Sequence, residues 1–290
     1  MREHVRPEIA RAEDVAANAS GENFPVALRV LPRAYRRHLT ALYCFARLTD
    51  DLGDEAREPG QADTDLRLRL LDELAADVDR IYAGGTPESP VMRAMADTVR
   101  ECEVPARPLL DLIQANRQDQ QVTRYHSFAE LARYCELSAN PVGQIVLYIF
   151  GAATPRRMRL SDRICTALQL AEHWQDVTED LGHGRIYLPA EDLARYGCTE
   201  ADLAERTAGP AVRKLMRFEV DRAAGLLDDG APLVGTLHGA ARLAVAGYVA
   251  GGRAALVAIR RQRYDVLART ARPRKPRLVA ELVKTHARGR

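Results

Sequence analysis

Apolar residues recur along this chain at intervals of three and four positions, and no sustained run alternates strictly between apolar and polar residues. The first spacing is that of one face of an α-helix, whereas alternation would indicate a half-buried β-strand. The pattern therefore predicts an all-α fold. Two helix starts are indicated by a hydroxyl residue followed three positions later by an acid, at Ser127 with Glu130 and Thr199 with Asp202, since such a pair can complete a capping box.

Short segments rich in glycine and proline divide this pattern into separate helices. They lie at 84–87, 105–108, 154–155, 182–189, 209–210 and 230–232. None is long enough to link two domains, and the apolar pattern resumes after each one. We therefore expect residues 1–290 to form a single domain.

The most apolar stretch, 237–259, is interrupted by Arg242 and Arg253. It therefore falls short of the roughly 20 uninterrupted apolar residues that a membrane span requires. We expect a central helix, whose alanines and glycines let neighbouring helices approach closely or leave room for a ligand.

Composition narrows the classes of function. A net charge of +2 with 28% charged residues is too balanced for a general nucleic-acid binder, and 47% hydrophobic residues are too many for a disordered chain. The five cysteines are odd in number, far apart and without a C-x-x-C pair, which argues against disulfides and a zinc site and favours a reducing compartment.

The residues at the two ends of the sequence give expectations for the cellular localisation of the protein. Residues 1–14 are studded with charge and lack the apolar core of a signal peptide, so we expect a cytoplasmic protein. The basic segment 269–290 fits an anionic membrane surface and a solvated, frayed tail equally well. Peripheral contact with the inner face of the membrane therefore stays open.

The first candidate site lies at 36–55, where polar residues follow one stripe of a helix. That stripe contains Arg36, Tyr43, Arg47, Asp50 and Asp54. Asp50 and Asp54 are like charges four residues apart, which destabilises a helix unless a cation lies between them. The stripe is a candidate cation site, although a solvated outer face would produce the same pattern.

The second candidate site lies at 168–189. Glu172, Asp176 and Asp180 stand at i, i+4 and i+8 along one face of a predicted helix. The opposite face is apolar and contains Leu170, Trp174, Val177 and Leu181. We expect this helix to pack into the core with its acids lining an internal groove.

Carboxylates on two separate helices favour magnesium, which keeps waters and bridges to phosphates rather than entering a closed protein cage. Arg36 and Arg47 on the first helix, and Arg185 beyond the second, can make charge-assisted bonds to phosphate oxygens. Such a set can stabilise a diphosphate leaving group as its carbon–oxygen bond breaks. The signatures of a P-loop, a nucleophile elbow, a dinucleotide-binding turn and a di-iron bundle are missing from the sequence.

With these residues in view, the sequence resembles the squalene and phytoene synthase family, whose two D-x-x-x-D motifs are similar to 50–54 and 176–180 here. The resemblance covers nearly the whole chain, including 31–55, 122–143 and 168–193. It implies an isoprenoid-synthase helical bundle with a central cavity, Mg²⁺, and prenyl diphosphate substrates of C15 or C20 joined head to head. It also implies metal ligands at Asp50, Asp51, Asp54, Glu172, Asp176 and Asp180, and diphosphate-binding side chains at Arg36, Tyr43, Arg47 and Arg185.

Glu172 stands where much of the family has Asn, so its contact with the metal stays open. Three further departures, at 22–27, 138–143 and 173–175, resemble the hydroxysqualene-forming branch of hopanoid biosynthesis. That branch converts presqualene diphosphate and water into hydroxysqualene and diphosphate. The resemblance implies a lyase that needs no NADPH, functional coupling to a presqualene diphosphate synthase, and water orientation by Asn140 or Tyr187.

Other hypotheses stay open on the sequence alone. The chain also fits a squalene synthase, a phytoene or dehydrosqualene synthase, and a non-catalytic all-α membrane-surface protein. Pro141 can simply kink or end a helix, in which case Asn140 would only satisfy the freed backbone.

Overall fold

The structure is a computed structural model that describes residues 31–54, 61–272, 281–282 and 285. The segment 22–27, the side chain of Asp54 and most of the basic segment 269–290 lie outside the described residues. The described part contains thirteen α-helices and no β-strand, which confirms the predicted all-α class. In chain order the helices are α1 (Arg33–Asp54), α2 (Gln61–Tyr82), α3 (Pro90–Cys102), α4 (Ala106–Asp119), α5 (Phe128–Ser138), α6 (Asn140–Ile149), α7 (Pro155–Gln175), α8 (Val177–Gly182), α9 (Ala190–Arg195), α10 (Glu200–Leu203), α11 (Pro210–Gly230), α12 (Leu233–Thr236) and α13 (Gly239–Arg261).

The helix boundaries follow the glycine and proline segments of the sequence. Each of the six predicted breaks coincides with a helix end or start. Both predicted caps are present: the Ser127 hydroxyl accepts a hydrogen bond from the backbone N–H of Glu130, and Thr199 with Asp202 forms a capping box.

The boundary between α5 and α6 has no glycine to mark it. Ala139 separates α5 from α6, and Pro141 lies in the first turn of α6. Proline is tolerated there because the first N–H groups of a helix have no intrahelical partner. The sequence left open that Pro141 kinks or ends a helix; in the structure α5 ends at Ser138, and Pro141 lies inside the first turn of the next helix.

The interior is formed by two clusters of buried apolar side chains. One is built largely from α5, α7, α11 and α13 and includes Trp174, while the other is built from α1 to α4 and includes Phe45. Helices α6 and α13 contribute residues to both clusters. At the crossing of α7 and α11, Gly230 lies directly against the backbone of Leu160, so the two helices approach closely.

Helix α13 occupies the position expected for the apolar stretch 237–259. It is the one helix of the described residues that is long and apolar enough to cross a membrane, and 67% of its most apolar window is buried inside the fold. That burial is typical of a core helix. Arg253, near its C-terminal end, pairs with Asp228 at 2.7 Å.

A buried polar cluster joins α9 to α11. The Arg222 guanidinium donates to Asp192 at 2.8 Å and to Glu219 at 3.0 Å. It also lies over the rings of Phe128 and Phe218, 4.1 and 4.4 Å from their centroids. One guanidinium thus contacts two acidic side chains inside the protein.

Candidate active site

The first acid face lies at the C-terminal end of α1. Asp50 is exposed, while Asp51 forms an ion pair at 2.8 Å with Arg47, one turn earlier. Tyr43 and Arg36 are half-buried. The Nε atom of Arg36 is buried without a hydrogen-bond partner among the described residues, which suits an anionic ligand.

The second acid face spans the junction of α7 and α8. The sequence predicts one continuous helix here, but α7 ends at Gln175, and Asp176 adopts φ −110° and ψ 17°. The i→i−4 hydrogen bonds persist across the junction, from Asp176 N to Glu172 O at 3.1 Å and from Asp180 N to Asp176 O at 2.8 Å. The helical spacing of Glu172, Asp176 and Asp180 therefore continues across the junction.

Asp180 is the acid of this face whose charged form is most disfavoured. Burial, followed by the neighbouring Asp176 carboxylate, raises the pKa of Asp180 to about 7, against the opposing effect of Arg185. Burial and Glu179 also raise the pKa of Asp176, while Arg272 opposes that rise. Acids that repel each other in this way suit a cation between them.

A neutral histidine and a tyrosine lie beside this face. The rings of His173 and Tyr187 stack with their centroids 3.7 Å apart. Burial, and secondarily Arg185, lowers the pKa of His173 to about 3, so its imidazole is uncharged at neutral pH. Its Nε2 lies 3.1 Å from the amide nitrogen of Gln169, which can only donate, so the ring proton belongs on Nδ1. That nitrogen lies 4.0 Å from Asp180.

The last turn of α4 connects the two acid faces. On one side, Asn116 donates to Asp50 at 3.3 Å. On the other, the Tyr134 hydroxyl donates to Asp119 at 2.8 Å. The Tyr134 ring lies 6.3 Å from His173, which faces the second acid group.

Asn116, Asp119 and Tyr134 were not predicted from the sequence as part of the site. Their contacts join different helices, as in the bond from Asn116 to Asp50, 66 positions away. The one signal in the sequence is that the apolar inner face of α4 ends in a polar Asn and Asp. A helix end that is exposed to solvent would show the same pattern.

The loop after α8 holds Arg185 and Tyr187 in place. Residue 186 pairs with 124 in an isolated parallel bridge, and Ile186 N donates to Thr123 O at 3.0 Å. Arg185 N donates to Asp180 O at 2.8 Å, so its side chain starts beside the acid face. A small cavity of about 10 Å³, room for roughly one water molecule, is lined by His173, Asp180, Arg185 and Tyr187 among others.

Asn140 lies deeper in the protein, at the start of α6. Its side-chain oxygen accepts a hydrogen bond from the Thr166 hydroxyl of α7 at 3.0 Å, and both residues are buried. The amide therefore contacts a neighbouring helix and does more than satisfy the backbone around Pro141. Thr166 shares a face of α7 with His173, about 10 Å away along the helix axis.

The two faces offer carboxylate oxygens, a donor set that fits magnesium. Within the described residues, no group of three or more His, Cys, Asp or Glu side chains is placed to hold a metal ion. Mg²⁺ does not need such a group, because one or two carboxylates together with substrate phosphates commonly hold it. The mutual repulsion of Asp176 and Asp180 and the buried Arg36 nitrogen fit a cation and an anion respectively.

Comparisons with known proteins agree with this geometry. The model of the squalene/phytoene synthase family matches residues 17–279, and the chain belongs to that family. A hydroxysqualene synthase of Rhodopseudomonas palustris is 36% identical over 73% of this chain and 70% of its own length. A phytoene synthase of Arthrospira platensis is 32% identical over 84% of this chain and 82% of its own length.

A solved structure shares the architecture. The squalene synthase HpnC of Alicyclobacillus acidocaldarius superposes with a TM-score of 0.79 at 39% identity, covering 88% of this chain and 94% of that one. The relatives in this family are enzymes that act on prenyl diphosphates. The resemblance predicted from the two acid motifs is confirmed at the level of the family.

Proposed function

We propose that the protein converts presqualene diphosphate and water into hydroxysqualene and diphosphate. The observation that carries this proposal is the buried Asn140 amide, held by Thr166 in the segment that resembles the hydroxysqualene-forming branch. The identity to the Rhodopseudomonas palustris enzyme supports it. A presqualene diphosphate synthase would supply the substrate.

Ionisation begins at the diphosphate. Arg36, Tyr43, Arg47 and Arg185 bind its oxygens, and the carbon–oxygen bond breaks with both electrons leaving on the diphosphate. Mg²⁺, when bound, supplies positive charge that stabilises this leaving group; its candidate ligands are Asp50, Asp51, Asp54, Asp176 and Asp180, with Glu172 at the edge of the set. Arg47 is already oriented by its pairing with Asp51.

The carbocation that remains needs an environment without positive charge. His173 meets this need because burial keeps its imidazole neutral. The faces of Tyr134 and Tyr187 offer negative π-density to a cation. After rearrangement, water forms the new carbon–oxygen bond and gives its proton to the released diphosphate, and Asn140 or Tyr187 orients that water.

The decisive experiment incubates the purified protein with presqualene diphosphate and magnesium in ¹⁸O-labelled water, with and without NADPH. We expect a C30 alcohol that carries one labelled oxygen, in an amount unchanged by NADPH. Squalene formed only when NADPH is present would assign the protein to the reductive branch instead.

Two variants test whether Asn140 takes part in water capture. Asn140→Gly introduces the residue that is usual in the rest of the family, and Thr166→Val removes the hydroxyl that holds the amide. We expect both to release diphosphate but to lower the alcohol share of the products severalfold. An unchanged product ratio in both variants would exclude Asn140 from water capture.

A phytoene synthase is the second candidate function. It is favoured by the identity to the Arthrospira platensis enzyme, which extends over more of the chain than the identity to the hydroxysqualene synthase. Incubation with geranylgeranyl diphosphate separates the two, because a C40 hydrocarbon would form only in the second case.

A further inference from the structure

Asn116 is a buried amide that contacts the first acid face without belonging to it. It lies in the last full turn of α4 and is 8% exposed. Its nitrogen donates to Asp50 Oδ1 at 3.3 Å and to Leu112 O at 3.3 Å. One amide group therefore ties a carboxylate of α1 to the backbone of α4.

A glycine of α1 leaves room for this amide. Gly53 packs against Asn116, and a Cβ atom at position 53 would overlap the amide oxygen. Gln120 donates to Gly53 O at 2.8 Å and to Asn116 O at 3.1 Å. Arg67 of α2 also donates to Gly53 O, at 3.3 Å, and to the Gln120 side chain, at 3.1 Å.

We propose that Asn116 is a positioning residue, which fixes the orientation of the Asp50 carboxylate and thereby sets the affinity of the first acid face for a divalent cation. This inference rests on the metal-dependent function proposed above. It concerns a residue outside the D-x-x-x-D motif, on a different helix.

The physical basis is the geometry of the Asn116 bond. Asp50 lies at the surface, and the bond reaches it from a buried amide on a different helix. The bond from Asn116 engages one oxygen and restricts the rotation of the group, so less entropy is lost when a cation binds. Partners that orient ligands in this way typically change metal affinity by about 10- to 100-fold when they are removed.

The test measures Mn²⁺ binding to the full chain without substrate, from the electron paramagnetic resonance signal of the free ion. Asn116→Leu, which keeps the branched shape of the side chain and removes both N–H donors, should raise the Mn²⁺ dissociation constant about tenfold. In turnover assays it should raise the Mg²⁺ concentration for half-maximal diphosphate release, while kcat at saturating Mg²⁺ stays within about twofold of wild type. Should this variant fail to fold, Asn116→Ala carries the same expectation.

Two control variants separate the effect of the Asn116 bond from that of its neighbours. Gln120→Met removes the clamp on Gly53 O but leaves the bond to Asp50, so its Mn²⁺ affinity should match wild type. Asp50→Asn should weaken Mn²⁺ binding more than either. Wild-type affinity in the Asn116 variants, or equal weakening in Gln120→Met, would overturn the inference while leaving the proposed function intact. Unchanged binding in Asp50→Asn would overturn both.

Discussion

At the residue scale, the Arg222 cluster shows how burial keeps an acid, Glu219, protonated. The single charge of Arg222 lies between Asp192 and Glu219, and Glu219 has no exposed surface. One guanidinium can neutralise only one of two carboxylates. Burial, with Asp192 adding to it, therefore raises the pKa of Glu219 to about 8, against the opposing charge of Arg222.

This raised pKa predicts that stability declines towards alkaline pH. The unfolded chain releases the Glu219 proton near pH 4.5, whereas the folded protein retains it until about pH 8. The free energy of unfolding should therefore fall between these values, by up to about 1.4 kcal/mol per pH unit from this group. Glu219→Gln cannot lose a proton and should flatten the decline.

Urea unfolding at several pH values between 5 and 8.5 measures the effect. Glu205→Gln, at an exposed position, is the matched control and should keep the wild-type slope. An equal pH dependence in wild type and Glu219→Gln would show that Glu219 is ionised in the folded protein.

The acids of the candidate site were predictable because they repeat at helical spacing within one segment. Asp50 lies on α1, Asp176 at the junction of α7 and α8, and Asp180 on α8, while their role in one site stays a prediction. Asn116 and Tyr134 were not predictable, because tertiary packing alone brings them to their partners. The Asn116 bond to Asp50, for example, joins residues 66 positions apart.

At the scale of elements, the sequence predicted helix ends where glycine and proline mark them and missed those that lack such markers. Ala139 and Asp176 interrupt helices with ordinary residues. Local preference at these positions is weak, so the packing of neighbouring helices decides the backbone. The close crossing of α7 and α11 is likewise a tertiary feature, and Gly230 makes it possible.

We predict that Gly230→Ala destabilises the protein by about 1–3 kcal/mol, because the added methyl group cannot be accommodated without separating the helices. A Cβ atom there would lie 2.7 Å from Leu160 O and 2.9 Å from Ile164 N, which are backbone atoms that cannot rotate away. Equilibrium urea unfolding followed by circular dichroism measures the loss.

Gly225, on the same helix, provides the matched control. A Cβ atom at this position meets no atom within 4 Å, so Gly225→Ala should leave stability unchanged or raise it by about 0.5–1 kcal/mol. Equal effects at the two positions would contradict the close crossing.

At the scale of the whole molecule, the two apolar clusters share α6 and α13. The acid faces belong to different parts of this arrangement: Asp50 lies on a helix of the α1–α4 cluster, and Asp176 borders the other. A ligand that engages both faces should therefore stabilise the protein as a unit.

Inorganic pyrophosphate with Mg²⁺ should raise the melting temperature by roughly 5 °C at a hundredfold excess over its dissociation constant. Asp50→Asn and Asp176→Asn should each remove most of this shift, since each removes a charge from one face. Asp97→Asn, an exposed acid paired with Arg100, should retain it. A full shift in either acid variant, measured by differential scanning fluorimetry, would exclude that acid from the ligand site.

We expect the last turn of α4 to make the two acid faces thermodynamically dependent on each other. Asn116 and Asp119 stand three residues apart on this turn; Asn116 bonds to Asp50 of the first face, and Asp119 bonds to Tyr134, whose ring lies 6.3 Å from His173. A cation bound to Asp50 restricts the motion of that side chain and, through Asn116, of this turn. Tyr134, beside His173, is restrained with it. The second face then loses less conformational entropy when it is filled. Uptake of divalent ions should accordingly be cooperative, with a Hill coefficient above one that falls towards one when Asn116 is replaced.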